Sequence, residues 1–529
     1  MHNGGKMPML RRSARMVRHA LIMMFGTCAS RVLGLVREIL IAAFFGATRQ
    51  LDAFYVAYTL ANLSRQLLAE GALSAAFIPV FSRLLTREGR PRALQLARQA
   101  LTVLLGAGIL VVLLGMWGSP LLVRLMAPGF ESEAFRTAVS LTRSLFPFLL
   151  LVSVAALAMG VLNSMDRFFV PAVAPALSNA VFIGVLLVFA RQGGDPGVLV
   201  WGVLLGGVAQ MGLQWLWTLR LGMPLIPALP RREDSELRRV LTLFLPYAAG
   251  LSLNQLMPVI SKVLGSYLEP GAISVLNYAD RVLQLPLGLF VIAISQAVLP
   301  MLSKIEPEDD LSFLGALQDA VRFGCFVVLP VMVGMLLLAK PMVHLLFYRG
   351  AFSPWAWEAT SGALACYALG LPGMACNTIL LRGLYARGFA KKAVIVTLTS
   401  VITHLACSLA LMRVLSFRGL ALSSALAFTA AALVGYALLR REISEGESLF
   451  PLSWIIRVTI GLCWLFAGVG GYATLLPYPL EAGFAFRGLW FGGAFLLGVF
   501  LYGATTRYVG THEWQWIRQA LTRKGDSHD

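Results

Sequence analysis

VRHALIMMFGTCASRVLGLVREILIAAFF, residues 17–45, is the stretch on which the reading of the whole chain turns. About 20 apolar residues suffice to cross ~30 Å of hydrocarbon, and this run is longer than that. Yet Arg31, Arg37 and Glu38 stand in its interior. The next apolar stretch, residues 51–84, carries Arg65 and Glu70. A cation at the bilayer centre costs about 2.5–3.5 kcal/mol on insertion scales. A chain that keeps several must turn them toward protein or water, and an anion is the natural neutralising group.

The chain around these stretches has 529 residues, 58% hydrophobic and 13% charged, with mean hydropathy +0.75. Soluble domains carry roughly 25% charged residues, so a soluble protein is excluded. About fourteen candidate spans follow from length and apolarity, which makes the fold class an all-α polytopic membrane protein. They lie near residues 17–45, 51–84, 93–118, 139–164, 170–190, 197–220, 238–268, 273–303, 313–338, 355–383, 390–412, 418–440, 454–475 and 487–507. Pro and Gly punctuate the connections, as at Pro128-Gly129, Pro196-Gly197 and Pro270-Gly271.

The formal net charge of +18 would suggest nucleic acid in a soluble domain. Here the basic residues flank spans, so they read as topology signals and contacts with anionic lipid headgroups, and no nucleic-acid partner is expected. With the N-terminus in the cytoplasm, the inner loops collect Arg83, Arg87, Arg90, Arg92, Arg98, Arg231, Arg232, Arg238, Arg239, Arg387, Lys391, Lys392, Arg440 and Arg441. An even number of spans places both termini inside. Residues 304–319 form an acidic inner loop (Glu306, Glu308, Asp309, Asp310), but acidic residues weigh little in this rule. The basic N-terminal segment ends in no small-residue cleavage site, so the first span is expected to be retained. The six cysteines all fall in apolar runs without a CxxC pair and read as small buried hydrophobes.

A weak repeat divides the chain. Span 2 ends Ala76-Phe-Ile-Pro79-Val-Phe-Ser82-Arg83, and span 8 ends Ala297-Val-Leu-Pro300-Met-Leu-Ser303-Lys304. Six spans separate them, as in parallel transporter repeats. The expected architecture is two pseudo-symmetric six-helix lobes around a central cavity, residues 1–230 and 231–445. Residues 446–529 add two further helices and a basic cytoplasmic tail.

The charged residues inside spans define the candidate site. At 100° per residue Arg31, Gly34 and Glu38 share a face, and a bend near Gly34 would bring Arg37 to the same ligand. An internal Arg31–Glu38 or Arg37–Glu38 ion pair is the alternative. Span 2 adds Asp52, a gate residue or a plain helix cap, and then the neighbours Asn62 and Arg65. Span 7 places Gln255, Lys262 and Ser266 on one stripe, with Pro258 able to kink it. Span 8 presents Ser274, Asn277, Tyr278 and Arg281 on one face, with Asp280 and Gln284 a turn apart beside it. An Asp280–Arg281 structural pair is the alternative there, and Arg382 in span 10 reads as a side chain snorkelling to the headgroups. If the lobes face each other, Arg31, Arg37, Arg65, Lys262 and Arg281 line one cavity. Guanidinium forks grip phosphate oxygens bidentately, so the inferred ligand is phosphorylated. Six scattered histidines give no metal cluster, no P-loop is present, and no cofactor is expected.

Four motifs then carry a resemblance. Ser30-Arg31-Val-Leu-Gly34-Leu-Val-Arg37-Glu38, Leu51-Asp52-Ala-Phe-Tyr-Val-Ala-Tyr, Glu70-Gly71-Ala-Leu-Ser-Ala-Ala-Phe-Ile-Pro79 and Asn277-Tyr278-Ala-Asp280-Arg281 resemble the MurJ (MviN) family. These are lipid II flippases of the multidrug/oligosaccharidyl-lipid/polysaccharide exporter superfamily. The resemblance implies alternating access around a cationic cavity and a groove in the last two helices for the undecaprenyl tail. It implies a pyrophosphate site of Arg31, Arg37, Arg65 and Arg281, with Asp52, Asn62, Ser274 and Asp280 matching other family positions. Glu38, Glu70, Lys262, Asn277 and Gln284 complete the candidate cavity and gate set. Some members have Pro at Ala61 and Glu at Gln284, and the carboxylates of sodium-binding relatives in spans 7 and 11 are not found here.

The expected function is therefore a transporter and not an enzyme. It would move lipid II, an undecaprenyl-pyrophosphate-linked peptidoglycan precursor, from the cytoplasmic to the periplasmic leaflet of the bacterial inner membrane, in service of cell-wall synthesis and cell shape. Expected partners are lipid II, membrane lipids and the cell-wall synthesis machinery. The rivals are a flippase for another lipid-linked glycan, a small-molecule exporter of the superfamily, and a membrane glycosyltransferase. The last would need paired outer carboxylates, and Glu131, Glu133, Glu269, Glu358 and Glu481 are scattered.

Overall fold

The computed structural model describes residue 26 and residues 28–66, 72–230, 234–306, 308–442 and 449–522, and these are helices joined by short turns, without a β-strand. They fall into two compact units, Met1–Ser274 with Arg349–Phe352, and Val275–Tyr348 with Ser353–Asp529.

The first unit opens with α1 (residues 28–45), continuous through Gly34. It continues with α2 (Arg49–Arg65), α3 (Ala72–Arg87), α4 (Arg90–Met126), α5 (Ser132–Leu145), α6 (Phe148–Ser164), α7 (Phe169–Phe189) and α8 (Gly197–Arg220). Two shorter helices follow, α9 (Ser235–Ser252) and α10 (Leu256–Gly265). Local chemistry sets several starts. Thr48 caps α2 by accepting from Leu51 N–H, and Pro91 sits in the first turn of α4, where a missing N–H costs nothing. Pro147 separates α5 from α6 in the same way. Packing relies on small residues that let backbones approach. A Cβ on Gly206 of α8 would lie 2.8 Å from the Ser178 carbonyl oxygen of α7. The end of α1 is held by two loops: Ala351 N–H donates to the Ala43 carbonyl and Gly193 N–H to that of Phe44.

The second unit contains most of α11 (Ala272–Pro286), then α12 (Ile292–Leu302), α13 (Asp310–Phe347), α14 (Pro354–Ala368), α15 (Leu371–Ala386), α16 (Ala390–Leu415) and α17 (Phe417–Glu442). It closes with α18 (Leu452–Leu475), α19 (Phe484–Tyr508) and α20 (Glu513–Thr522). Its core is one apolar cluster of α12, α13, α15, α16 and α17, around Phe313, Leu317, Val321, Ile379 and Val396. A second cluster joins α18 and α19 to α13 through Phe326, Leu465, Trp490 and Tyr502.

Ten helical spans among the described residues are long and apolar enough to cross a membrane, and the pair α14–α15, bent by 43°, supplies an eleventh. The other three expected spans are interrupted. Residues 17–45 begin among residues outside the description, and residues 51–84 are helical on both sides of 67–71 as α2 and α3. Residues 238–268 break into α9, a 3₁₀ turn at Leu253–Gln255 and α10. The last break has a plain cause: Pro258 has no N–H to continue the ladder back to residue 254. Pro372 does the same at the α14–α15 bend, and a π turn at Leu287–Val291 follows Pro286.

The cysteines depart from the expectation of uniform burial. Cys325 is buried with its sulfur 3.4 Å from that of Cys376, whereas Cys28 and Cys463 are exposed on the protein surface.

Candidate functional site

Arg37 of α1 is the best-defined of the expected cations. Its Nη2 donates to Glu38 Oε1 at 2.8 Å and its Nη1 to Asn179 Oδ1 of α7 at 3.1 Å. Its guanidinium carbon lies 5.1 Å from the Phe182 ring centre, and its Nε has no partner among the described residues. The Arg37–Glu38 ion pair raised as the alternative reading is thus formed. It is almost dry, with the side chains 13% and 2% exposed.

Glu38 is the hub. Its other oxygen accepts from the Tyr55 hydroxyl of α2 at 2.8 Å. Lys262 of α10 lies over the Tyr55 ring, its Nζ 5.6 Å from the centre. Two of the expected cations, from spans 1 and 7, therefore lie on either side of the Glu38–Tyr55 pair, Arg37 on the carboxylate and Lys262 on the ring. Asn179 ties the group down by donating from Nδ2 to the Ser30 carbonyl.

Arg65 and Asn62 meet as their spacing requires, Arg65 Nε donating to Asn62 Oδ1 at 2.8 Å. Arg31 is half-buried and makes no hydrogen bond or ion pair among the described residues. Glu70 lies outside the described residues.

Asp52 is fully buried. Its Oδ2 accepts from Gly271 N–H at 2.7 Å, and its Oδ1 from Ser274 N–H at 2.8 Å and the Ser274 hydroxyl at 2.7 Å. It acts as a helix cap, though not for its own helix, which Thr48 caps. It satisfies the first free N–H groups of α11 from 219 residues away in sequence.

In the second unit, Asn277, Asp280 and Arg281 are half-buried along α11, and Gln284 is exposed and donates to Asp280 Oδ2 at 2.5 Å. Tyr278 is buried against Phe347, with ring centres 5.3 Å apart. Arg382 does not simply snorkel: its Nε donates to the buried Ser295 hydroxyl of α12 at 2.9 Å.

Sequence reasoning missed Tyr55 and Asn179. Asn179 had a usable signal, being a carboxamide inside an apolar run where any polar group demands a partner. Tyr55 stood in a quoted motif, but an aromatic ring in a span reads as packing, and only its hydroxyl partner reveals its part.

Comparisons with known proteins place the chain in a family. Residues 41–480 match the family model described as lipid II flippase MurJ. A probable lipid II flippase MurJ of Rhizobium meliloti (strain 1021) is 32% identical over 508 residues, covering 94% of each chain. The lipid II flippase MurJ of Burkholderia cenocepacia is 35% identical over 404 residues, covering 75% of this chain and 78% of its own. Among solved structures, a lipid II flippase MurJ in an inward closed conformation superposes with TM-score 0.77 at 23% identity, covering 92% of this chain and 98% of its own. An inward-facing multidrug MATE transporter superposes at 0.66 with 17% identity, covering 81% and 98%. The chain is a multi-pass transporter that belongs to the lipid II flippase MurJ family.

Proposed function

We propose that the protein carries lipid II from the cytoplasmic to the periplasmic leaflet of the inner membrane by alternating access. The observation that carries this reading is the group around Glu38. Arg37 and Lys262, remote in sequence, come together here, Arg37 on the Glu38 carboxylate and Lys262 over the ring of Tyr55, whose hydroxyl donates to Glu38. Cations kept among apolar helices at such cost serve an anionic substrate. Arg31, Arg37, Arg65 and Arg281 hold the pyrophosphate, with Lys262, Asn62, Asn277, Asp280 and Gln284 as cavity neighbours and Glu38, Asp52, Glu70 and Ser274 as gate and scaffold. The lobes that rock about this site follow the sequence repeat, residues 1–230 and 231–445. The helices within 446–529 hold the lipid tail, and both termini face the cytoplasm. The cell-wall synthesis machinery is a partner on this reading.

The chemistry is positioning alone, with no bond made or broken. An interior-negative potential favours outward movement of the anionic head by about 2.3 kcal/mol per charge per 100 mV, and draws the emptied cationic cavity back. Depletion in the native host tests the substrate. Lipid II is expected to accumulate on the cytoplasmic leaflet, and accumulation of a different lipid-linked glycan with lipid II unaffected would overturn the assignment.

A further inference from the structure

Arg37 is held from outside its own helix by two side chains of α7. Asn179 and Phe182 share one face of that helix, as their spacing requires. Asn179 Oδ1 accepts from Arg37 Nη1 at 3.1 Å, and the Arg37 guanidinium carbon lies over the Phe182 ring, 5.1 Å from its centre. Both side chains are fixed in turn. Asn179 Nδ2 donates to the Ser30 carbonyl at 3.1 Å, which turns the carboxamide oxygen toward Arg37. Phe182 is buried against Gly202 of α8, where a Cβ would lie 3.0 Å from the ring. A hydrogen bond at its edge and a ring at its face thus orient the guanidinium plane.

The clamp is neutral, and it leaves part of the fork open. Glu38 already places one carboxylate on Arg37. A carboxamide orients the guanidinium without adding charge, whereas a carboxylate at 179 would put a second negative charge there and oppose an incoming phosphate. Arg37 spends Nη1 on Asn179 and Nη2 on Glu38, while its buried Nε has no partner among the described residues. A buried N–H left unmet is costly and calls for an acceptor from outside the chain. A phosphate oxygen is such an acceptor, with the charge to match.

We propose that Asn179 and Phe182 are positioning residues of the pyrophosphate grip. They hold the Arg37 fork with its Nε edge open to a phosphate oxygen, and the neutral side chain at 179 keeps the site selective for an anion. Neither residue needs to touch the substrate. The inference deepens the proposed pyrophosphate site and rests on Arg37 belonging to it.

The test measures lipid II affinity of purified full-length protein in detergent, with the unfolding temperature read on every variant. Asn179→Asp is expected to stay folded and bind about tenfold more weakly or worse, and Asn179→Ala and Phe182→Leu to lose several-fold. The decisive readout is the same Asn179→Ala change in an Arg37→Lys background. Lysine keeps the charge but has no planar fork to orient, so the further loss there should be less than about twofold. An equal loss in both backgrounds marks a merely structural role and would overturn the proposal, as would wild-type affinity in a folded Asn179→Asp. Wild-type affinity in Arg37→Ala would instead remove Arg37 from the pyrophosphate site, and the underlying reading would fail with it.

Discussion

Glu38 shows how a few ångströms separate a scaffold from a binding site. With Arg37 and Tyr55 both bound to it, removing the carboxylate strands a nearly buried guanidinium. Glu38→Ala is expected to cost of order 3 kcal/mol, read as a lowered unfolding midpoint in detergent. Tyr55→Phe removes only a hydrogen bond to a charged group, about 1.5–3 kcal/mol, and should fall short of Glu38→Ala. Asp52 is scaffold of another kind, since three donors converge on it. Asp52→Ala leaves them unanswered and should cost more than Asp52→Asn, which keeps one acceptor oxygen; equal midpoints for the two would deny the capping role. At this scale the charged members of the site were legible in the sequence, because a charge inside a span advertises itself. The Arg37–Glu38 pair stood among the readings, but its neutral partners Asn179 and Tyr55 did not, since they come from other helices and their distances are set by packing.

Helices were the most legible level, because twenty apolar residues in a row permit little else in a bilayer. Their breaks were less so. Pro258 marked the α9–α10 break in advance, whereas the 43° bend between α14 and α15 depends on Pro372 falling where two helical stretches meet. The contact of α15 with α17 turns on Gly373, where a Cβ would lie 2.5 Å from Thr429 Oγ1 and 2.8 Å from Thr429 N. Gly373→Leu should force the helices apart and destabilise by about 1–3 kcal/mol or more, with Gly334→Leu, which has open space, as the control. The start of α13 answers to pH. Asp309 accepts from the backbone N–H and hydroxyl of Ser312, which hold its carboxyl below the usual carboxylate range. A folded pKa below the unfolded one means the cap stabilises fully above the ordinary value and loses its effect as pH falls through the lowered one. First-turn amide protection of α13, corrected for intrinsic exchange, should therefore fall in acid for the wild type and stay level in Asp309→Asn.

For the whole molecule, composition alone placed the chain in a membrane, and four short motifs placed it in its family. Within the first unit, the gathering of α1, α2 and α10 around Glu38 and Tyr55 gives that part of the fold a reason. If the membrane potential drives the anionic head outward, collapsing it by 100 mV removes about 2.3 kcal/mol per charge, and steady-state flipping should fall severalfold with the fold intact. The most direct measurement is lipid II flipping in proteoliposomes by Arg31→Ala, Arg65→Ala and Arg281→Ala, each checked for wild-type unfolding temperature, with lipid II binding measured in parallel. Loss of both binding and flipping in all three is the predicted result, and wild-type flipping by any stably folded one of them would contradict a shared pyrophosphate grip.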